Sequence, residues 1–427
     1  MIVPPIGSSG SSSAQISIRA VNDGGVIIDG QFSNNTFNLN GNSWWVFQGF
    51  DVGNSVATVA QIYKSNNNIF RRICAYHANP NAASQNEHVW INWDSANNLY
   101  EDICGFGYGR NTLLDYGGSS LNNTYRRAWL SFQGYSPRFV GGNCGDHPGP
   151  QIQASYGTIG PGRFENIITV YNPERQNEFA QWTCGYGAGS STNGVVTTGM
   201  YSFSGFIAYG YDGPVGGGTP YKNDPKTTLR GPAGGFWWGH YAYPNTDTDI
   251  FIDARSQDQV PPIVYACNYG ASCSVNTSDR ITVIRGATEN TITAWGAITN
   301  LNSCTALEGC PNFYTGSNPG RGSRACFQYN NGSLTTMPLW PWPMDDRIKA
   351  ALARTKARQL DGSAGTGYAA NTVTSEIVTR LGTIPDQCRT PSGVAPLPAT
   401  QLRVSSLFFA PGYSPLALGS LLHMSDR

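Results

Sequence analysis

A motif that recurs along the first half of the chain restricts the folds open to it. Residues 66–74 read NNNIFRRIC, residues 97–104 NNLYEDIC, residues 122–129 NNTYRRAW and residues 163–168 RFENII. The aromatic residues of these copies, Phe70, Tyr100, Tyr125 and Phe164, are 30, 25 and 39 positions apart. Each copy combines a polar, mostly Asn-rich start with an aromatic residue, a polar pair and apolar residues. The pattern predicts a short strand that follows an Asn-rich turn.

The intervals between the copies indicate how these strands are arranged. A βαβ unit needs a helix-sized insert between its parallel strands, and the intervals carry no helical pattern. Units of two or three short strands, stacked so that equivalent residues become neighbours, fit the spacing instead. The motif resembles the degenerate coils of right-handed parallel β-helix proteins, a class that includes pectate-lyase-like enzymes, phage tailspikes and secreted adhesins. This resemblance covers roughly residues 15–335. It implies an all-β, right-handed parallel β-helix solenoid with long loops on one face, and it matches no single family's catalytic signature.

The chain divides into four predicted segments. Residues 1–14 form a flexible or extended Ser/Gly-rich segment, 15–338 the parallel β-helix, 339–390 a small helical cap and 391–427 a Pro-rich extended tail. Within the cap, residues 344–362 predict a helix of about four turns that ends before Gly362, and residues 372–382 predict a shorter one. Such a cap would cover the open strand edges at an end of the solenoid. Alternatively, these helices are a docking element for another subunit.

Charge and cysteine content limit the partners and the compartment. Only 13% of residues are charged, against about 25% in an average protein, and basic and acidic residues balance at 27 each. We therefore expect no nucleic-acid binding. No apolar run reaches the roughly 18 residues that a membrane-spanning helix needs, so we also expect no membrane insertion. Ten cysteines in a chain rich in Asn, Ser and Thr favour an extracellular or cell-surface location. The N-terminus lacks the pattern of a signal peptide, so such a signal is absent or has been removed.

The polar pairs of the motif predict two columns of alternating charge. Stacking places Arg71-Arg72, Glu101-Asp102 and Arg126-Arg127 beside one another, and opposite charges on adjacent strands stabilise a register. The alternative follows from the resemblance to the lyases of the class, in which Lys or Arg is the base and acidic residues hold calcium. Arg71 and Arg126 would then be catalytic, with Glu101 and Asp102 as ligands. Because four guanidinium groups already neutralise the acidic pair, we predict no cofactor, with Ca²⁺ only if the protein is a lyase.

A second candidate site lies in residues 236–258. The fragments GH and NTD resemble motifs of polygalacturonases and imply His240, Asp247, Asp249 and Asp253 as catalytic candidates. Their order and spacing differ from that family, and its paired Asp element is missing. Ordinary turn chemistry before a strand is the alternative for Asp247 and Asp249.

Aromatic residues of the same stretch are predicted to bind carbohydrate or a partner. Aromatic rings offer flat apolar faces on which sugar rings stack, and they are also enriched at protein interfaces. Covering the bases of loops is a third explanation, and the sequence does not separate these. The candidates are Phe236, Trp237, Trp238, Tyr241 and Tyr243.

Three cysteine pairs are disulfide candidates. Cys74 and Cys104 occupy equivalent motif positions, which allows either a disulfide or two stacked thiols. The pairs Cys267–Cys273 and Cys304–Cys310 are each separated by five residues, a spacing that favours small disulfide-closed loops over a zinc site. We therefore predict no metal site.

Three functions fit these observations. The one we favour is an extracellular structural or adhesive β-helix without catalytic turnover, which self-associates into filaments through aromatic loops and its termini. The alternatives are a polysaccharide lyase or glycoside hydrolase acting on an acidic polysaccharide, and a carbohydrate-binding β-helix. Whether the chain is an enzyme is not decided by its residues, because the fold alone does not determine function.

Overall fold

Strands dominate the part of the chain that the structure describes. The computed structural model describes residues 1–79, 87–107, 109, 111–132, 152–155, 162–171, 194–197, 201–209, 235–237, 249–254, 263–265, 280–285, 293–295, 301–304, 327–358, 364–367, 371–381, 384 and 386–389. Within these residues there are two short α-helices, α1 (Asp345–Arg354) and α2 (Val373–Leu381), and a 3-10 helix at Asp386–Cys388. The predicted all-β class is confirmed.

The strands are numbered in chain order. They are β1 (Ile16–Arg19), β2 (Val26–Asp29), β3 (Phe37–Asn40), β4 (Trp45–Gln48), β5 (Phe50–Gly53), β6 (Ala60–Tyr63), β7 (Ile69–Tyr76), β8 (Trp90–Trp93), β9 (Leu99–Gly107), β10 (Leu113–Tyr116), β11 (Thr124–Phe132), β12 (Ile152–Ser155), β13 (Gly162–Glu165), β14 (Ile168–Tyr171), β15 (Gly194–Thr197), β16 (Tyr201–Ser204), β17 (Phe206–Tyr209), β18 (Gly235–Trp237), β19 (Asp249–Ala254), β20 (Ile263–Tyr265), β21 (Arg280–Arg285), β22 (Thr293–Trp295), β23 (Leu301–Cys304), β24 (Phe327–Asn330), β25 (Ser333–Pro338), β26 (Lys356–Arg358) and β27 (Ala364–Gly367).

Two large parallel sheets contain all the strands up to β23. The nine-stranded sheet has the order β3-β6-β8-β10-β12-β15-β18-β20-β22. The fourteen-stranded sheet runs β1-β4-β7-β9-β11-β14-β17-β19-β21-β23, with β2, β5, β13 and β16 paired beside this path. From β3 onward the chain alternates between the sheets, and we call one strand of the first sheet with the following strand or strands of the second a repeat unit. The longest connections, such as 133–151, 172–193 and 210–234, follow strands of the fourteen-stranded sheet and lie outside the described residues.

The predicted alignment of the motif is confirmed by the register. Phe70 pairs with Tyr100, Tyr100 with Tyr125, and Tyr125 with Phe164. Their rings stack inside the molecule with centroids 4.8, 4.6 and 5.0 Å apart. Each ring is buried between the two sheets, so the motif's aromatic position builds the core.

The Asn-rich turns form a ladder of hydrogen bonds along the stack. The side-chain Oδ1 of Asn68 accepts from the backbone N–H of Trp45 at 2.9 Å, Asn98 Oδ1 accepts from Asn68 at 2.8 Å, and Asn123 Oδ1 accepts from Asn98 at 3.0 Å. The preceding residue of each turn, for example Asn97 at φ 59°, takes the left-handed conformation that Asn tolerates. Asn is therefore required twice, for the bend and for the ladder.

The C-terminal segment differs from its prediction in two ways. Residues 327–338 form an antiparallel hairpin, β24–β25, rather than a further parallel unit. Helix α1 ends at Arg354 rather than near Gly362, because Thr355 turns extended and the chain continues into β26. Helix α2 lies where it was predicted.

This segment packs along the side of the fourteen-stranded sheet. A second apolar core joins outward residues of that sheet, such as Cys74, Trp129 and Ile207, to Trp342 and Ile348 of the C-terminal segment. Because these residues come from several successive repeat units, the helices cover the flank of the stack. None of the described helices is long and apolar enough to cross a bilayer.

Cys74 and Cys104 are disulfide-bonded, which decides between the two alternatives for this pair. They lie in register on β7 and β9, with Cα atoms 4.4 Å apart. Cys267, Cys273 and Cys310 lie outside the described residues, and of Cys304 only the backbone, at the end of β23, is described.

Candidate functional site

The polar pair of the motif sits where the strands of the fourteen-stranded sheet bend. The second residue of each pair, Arg72, Asp102 or Arg127, has φ of 52°, 53° or 49°. Gly49 and Gly205 take this position in flanking units, at φ 83° and 63°, where glycine adopts the conformation without strain. The two residues of a pair therefore leave the backbone in different directions.

The first residues of the pairs form a buried ionic column along the stack. Arg71 Nη2 lies 2.6 Å from Glu101 Oε2, Arg126 Nη1 lies 3.2 Å from Glu101 Oε1, and Arg126 Nε lies 2.7 Å from Glu165 Oε2. All four side chains are buried. The predicted alternation of charge is confirmed in this column, and Glu165, which the sequence argument overlooked, extends it.

The electrostatics of Glu101 reflect its three basic neighbours. Burial by itself would raise the pKa of this carboxyl group, but the guanidinium groups of Arg127, Arg71 and Arg126 outweigh burial and hold the pKa well below its usual range. Glu101 is therefore ionised at neutral pH, with three guanidinium groups around its charge.

The second predicted column is only partly formed. Arg127 Nε lies 2.5 Å from Asp102 Oδ1, as expected, and its Nη2 lies 2.8 Å from Glu101. Arg72 instead pairs with Asp23, Nη2 to Oδ2 at 2.7 Å, and donates to the carbonyl of Pro343 at 3.1 Å. The bend turns Arg72 toward Asp23, which lies between β1 and β2, and toward Pro343 of the C-terminal segment, so this column does not continue through all three pairs.

The β24–β25 hairpin covers the ionic column. Asn331 Oδ1 accepts from Arg126 Nη2 at 2.9 Å, Gln328 Oε1 accepts from Arg127 Nη1 at 3.1 Å, and the Gly332 N–H donates to Glu165 at 2.5 Å. The lyase candidates are thus buried and ion-paired: Glu101 with Arg71 and Arg126, and Asp102 with Arg127. Among the described residues, no group of three or more His, Cys, Asp or Glu side chains is arranged to hold a metal ion.

The structure describes only some candidates of residues 236–258. Trp238, His240, Tyr241, Tyr243 and Asp247 lie outside the described residues. Asp249 and Asp253 belong to β19, and their backbones pair with Arg280 and Ile284 of β21. Phe236 and Trp237 belong to β18, where Phe236 takes the register position of Val195 and Trp237 that of Val196.

A row of aromatic side chains lies on the outer face of the nine-stranded sheet. Tyr63, Trp93 and Tyr116 end the consecutive strands β6, β8 and β10 and pair in register. Ring centroids are 4.9 Å apart between Tyr63 and Trp93 and 5.5 Å apart between Trp93 and Tyr116. Trp93 is 36% exposed and the two tyrosines are half-buried. We call these three residues the aromatic row.

Turns in the left-handed conformation fix the row and place polar groups beside it. Lys64 and Asp94 directly follow Tyr63 and Trp93 with φ of 47° and 48°. The Lys64 ammonium group lies 5.0 Å from the Tyr63 ring centroid, and Asp94 Oδ1 accepts from the Ser119 N–H at 3.3 Å. The row therefore combines apolar ring faces with a cation and a carboxylate at its rim. Sequence reasoning missed it because the three rings are isolated until the register is known.

Comparisons with known proteins leave the family open. No protein-family model and no curated protein matches the chain. One solved structure that is similar to it is the crystal structure of alginate lyase from Paenibacillus sp. str. FPU-7, at 12% sequence identity and a TM-score of 0.39. The match covers 70% of this chain and 86% of that chain. This similarity is too distant to assign an activity.

Proposed function

We propose that the chain is a right-handed parallel β-helix that binds a polysaccharide on the outer face of its nine-stranded sheet. Parallel pairing in both large sheets and alternation of the chain between them support the β-helix. Parallel crossover connections are right-handed in about 98% of cases, which supports the handedness. The Cys74–Cys104 disulfide supports an extracellular or cell-surface location, since such bonds persist in oxidising compartments.

The aromatic row is the feature that most supports a polysaccharide as the ligand. Trp and Tyr combine a flat apolar body with a polar edge, a combination that suits sugar rings, which have apolar faces and hydroxyl rims. The strands hold Tyr63, Trp93 and Tyr116 in place before any ligand arrives, so little side-chain freedom is lost on binding.

The charge of this surface favours a carbohydrate over a nucleic acid. Nucleic-acid binding depends on basic groups that neutralise phosphates. Beside the aromatic row, the cation of Lys64 is matched by the carboxylate of Asp94, and the whole chain has zero formal net charge. A ligand that is recognised by ring faces and hydroxyl groups therefore fits better than a polyanion recognised by its charge.

Binding rather than cleavage is the function we propose. The ionic column contains the residue types of a lyase site, but its groups neutralise one another beneath the hairpin. The structural and adhesive function gains no specific support from the described residues. Because exposed aromatic residues are also enriched at protein interfaces, self-association is an outcome that the experiment must detect.

The test is affinity for polysaccharides of the Trp93→Ala variant. We expect Trp93→Ala to weaken binding to an acidic or a neutral polysaccharide by about tenfold or more, which corresponds to about 1.4 kcal/mol. Met337→Ala, which removes another exposed apolar side chain on the β24–β25 hairpin, should bind as the unaltered protein does. Equal binding by both variants, or a change of oligomeric state in Trp93→Ala without any sugar binding, would contradict the proposal. Release of unsaturated products would indicate a lyase instead.

A further inference from the structure

The turn of the β24–β25 hairpin consists of Asn331 and Gly332. Both residues have positive φ, 50° and 82°, and the flanking Asn330 and Ser333 pair across the hairpin. This is the two-residue type I′ geometry that an Asn-Gly sequence favours. Because glycine has no side chain, its backbone nitrogen can approach the side-chain amide carbon of a preceding asparagine and close a cyclic imide with it.

Two residues of the ionic column contact the atoms that such a ring closure involves. The Gly332 N–H donates to Glu165 Oε1 at 2.5 Å, and Asn331 Oδ1 accepts from Arg126 Nη2 at 2.9 Å. Glu165 is 1% exposed, and its Oε2 lies 2.7 Å from Arg126 Nε. The attacking nitrogen therefore faces a buried carboxylate, and the oxygen of the amide under attack faces a guanidinium group.

These contacts match the chemical requirements of an internal attack on the amide. An ionised carboxylate accepts hydrogen bonds and can take up the proton of the Gly332 nitrogen as a general base. A guanidinium donor stabilises the negative charge that develops on Asn331 Oδ1 during the attack. Because the nucleophile and the electrophile belong to adjacent residues, no translational freedom is lost in bringing them together.

We propose that Asn331 is a site of autocatalytic deamidation, a reaction independent of the proposed polysaccharide site. The Gly332 nitrogen bonds to Asn331 Cγ and passes its proton to Glu165, which returns a proton to the departing amide nitrogen as the Cγ–Nδ2 bond breaks. The products are the cyclic imide and ammonia. Both turn residues are exposed, so water reaches the imide, opens it at either carbonyl and leaves an aspartate or an isoaspartate in place of Asn331.

The charges around the turn favour an acidic product. Arg126 bonds to Asn331, and Arg163 Nε lies 3.5 Å from the position that a Cβ at Gly332 would occupy. A carboxylate in place of the amide would lie beside Arg126 and near Arg163, where cationic donors form stronger hydrogen bonds with it than with a neutral oxygen.

A second Asn-Gly pair in the chain lacks this arrangement and serves as an internal control. Asn40 and Gly41 also form a turn, with Gly41 at φ 70°. The Gly41 N–H, however, donates to the backbone carbonyl of Tyr63 at 3.0 Å. A carbonyl does not take up a proton at neutral pH, so this hydrogen bond holds the nitrogen without activating it. We therefore expect Asn40 to stay intact while Asn331 reacts.

Peptide mapping by mass spectrometry after incubation at neutral pH measures the loss of ammonia and the conversion of amide to acid at both sites. In urea both dipeptides are unfolded and should react at similar rates, which sets the reference. In the folded protein we expect Asn331 to react about tenfold faster or more than in urea, since a positioned base contributes about 10²–10⁴-fold. Asn40 should react more slowly in the folded protein than in urea.

The base is tested by Glu165→Gln, which keeps an acceptor for the Gly332 N–H and cannot take up its proton. We expect this variant, with a native circular dichroism spectrum, to lower the rate at Asn331 to the rate in urea or below. Asp386→Asn, at an exposed carboxylate, should react as the unaltered protein does. An unchanged rate in folded Glu165→Gln would overturn the proposal. So would an Asn331 that reacts no faster in the folded unaltered protein than in urea, a comparison that does not depend on how the variant folds.

Discussion

The polar pair of the motif has two physical roles, one for each of its residues. The first residue enters the ionic column, and the second allows the strand to bend in the left-handed conformation. The sequence predicts the first role, because opposite charges in equivalent positions favour one register. Glu165 follows Phe164 in RFENII and so occupies the same slot, but RFENII lacks the paired Asn residues of the other copies, and the predicted charge columns used only those three copies. The sequence does not reveal that Arg72 pairs with Asp23, a contact set by the bend.

Replacing the central carboxylate of the ionic column tests its contribution to stability. Glu101→Gln removes the carboxylate that pairs with the buried Arg71, while Arg126 keeps Glu165 and Arg127 keeps Asp102. Removing one partner of a buried ion pair typically costs about 3–5 kcal/mol, and we expect a loss of that size in chemical denaturation. Asp386→Asn, a change at an exposed carboxylate, should alter stability by less than about 0.5 kcal/mol. Similar small losses in both variants would show that the column does not stabilise the stack.

Asn97 and Asn98 are adjacent, and replacing each in turn compares the contribution to stability of the bend with that of the hydrogen-bond ladder. Asn98 Nδ2 donates to the Ser65 carbonyl and to Asn92 Oδ1, while its Oδ1 accepts from the Asn68 N–H. Asn98→Ala leaves the buried groups that bond to the Asn98 side chain without this partner. We expect the variant to destabilise the fold by about 2–4 kcal/mol, given about 1–3 kcal/mol for each unsatisfied group. Asn97→Gly keeps the left-handed turn and should cost much less. Thermal unfolding of both variants checks this, and equal costs would contradict a structural ladder.

Among the secondary-structure elements, the strands of the motif could be predicted from the sequence. The placement of the C-terminal hairpin and helices over these strands could not. The motif copies, α2 and the start of α1 follow from local patterns. The end of α1 does not, because residues 355–358 leave helical geometry to pair as β26 with β27. The placement of the β24–β25 hairpin over the ionic column depends on contacts such as Asn331 with Arg126, which are 205 positions apart. No local pattern carries that information.

The junction of the two helices should make stability depend on pH. Burial, opposed by hydrogen bonds from Thr374, raises the pKa of Asp345 to about 6. A carboxyl group whose folded-state pKa is raised favours folding while it is protonated, so stability falls as pH rises from about 4 to about 6. Asp345→Asn keeps an acceptor for Thr374 and removes the charge. After allowance for its partial exposure, we expect a gain of about 1–2 kcal/mol at about pH 7.5.

Urea denaturation at about pH 4 and about pH 7.5 measures this dependence. The amide group that Asp345→Asn introduces cannot ionise, so the difference in stability between the two pH values should shrink in the variant. The same difference in variant and unaltered protein would assign the pH dependence to other groups.

In the whole molecule, the stacking of repeat units forms the aromatic row, which no single segment of the sequence contains. Tyr63, Trp93 and Tyr116 are scattered along the chain, and each looks like an ordinary strand residue. Parallel pairing brings them together at one edge of the outer face. The candidate rings of residues 236–243 are neighbours in the sequence, whereas the aromatic row is formed across strands.

Oxidative footprinting with mass spectrometry tests whether the outer face of the nine-stranded sheet binds a polysaccharide. Hydroxyl radicals modify exposed aromatic side chains, and Trp93 is exposed whereas Trp90, Trp129 and Trp340 are buried. With saturating polygalacturonate or mannan, we predict reduced modification of Trp93, Tyr63 and Tyr116, with no change at Met337 on the hairpin. Unchanged modification of the aromatic row when the polysaccharide is bound, together with protection at another surface, would contradict it.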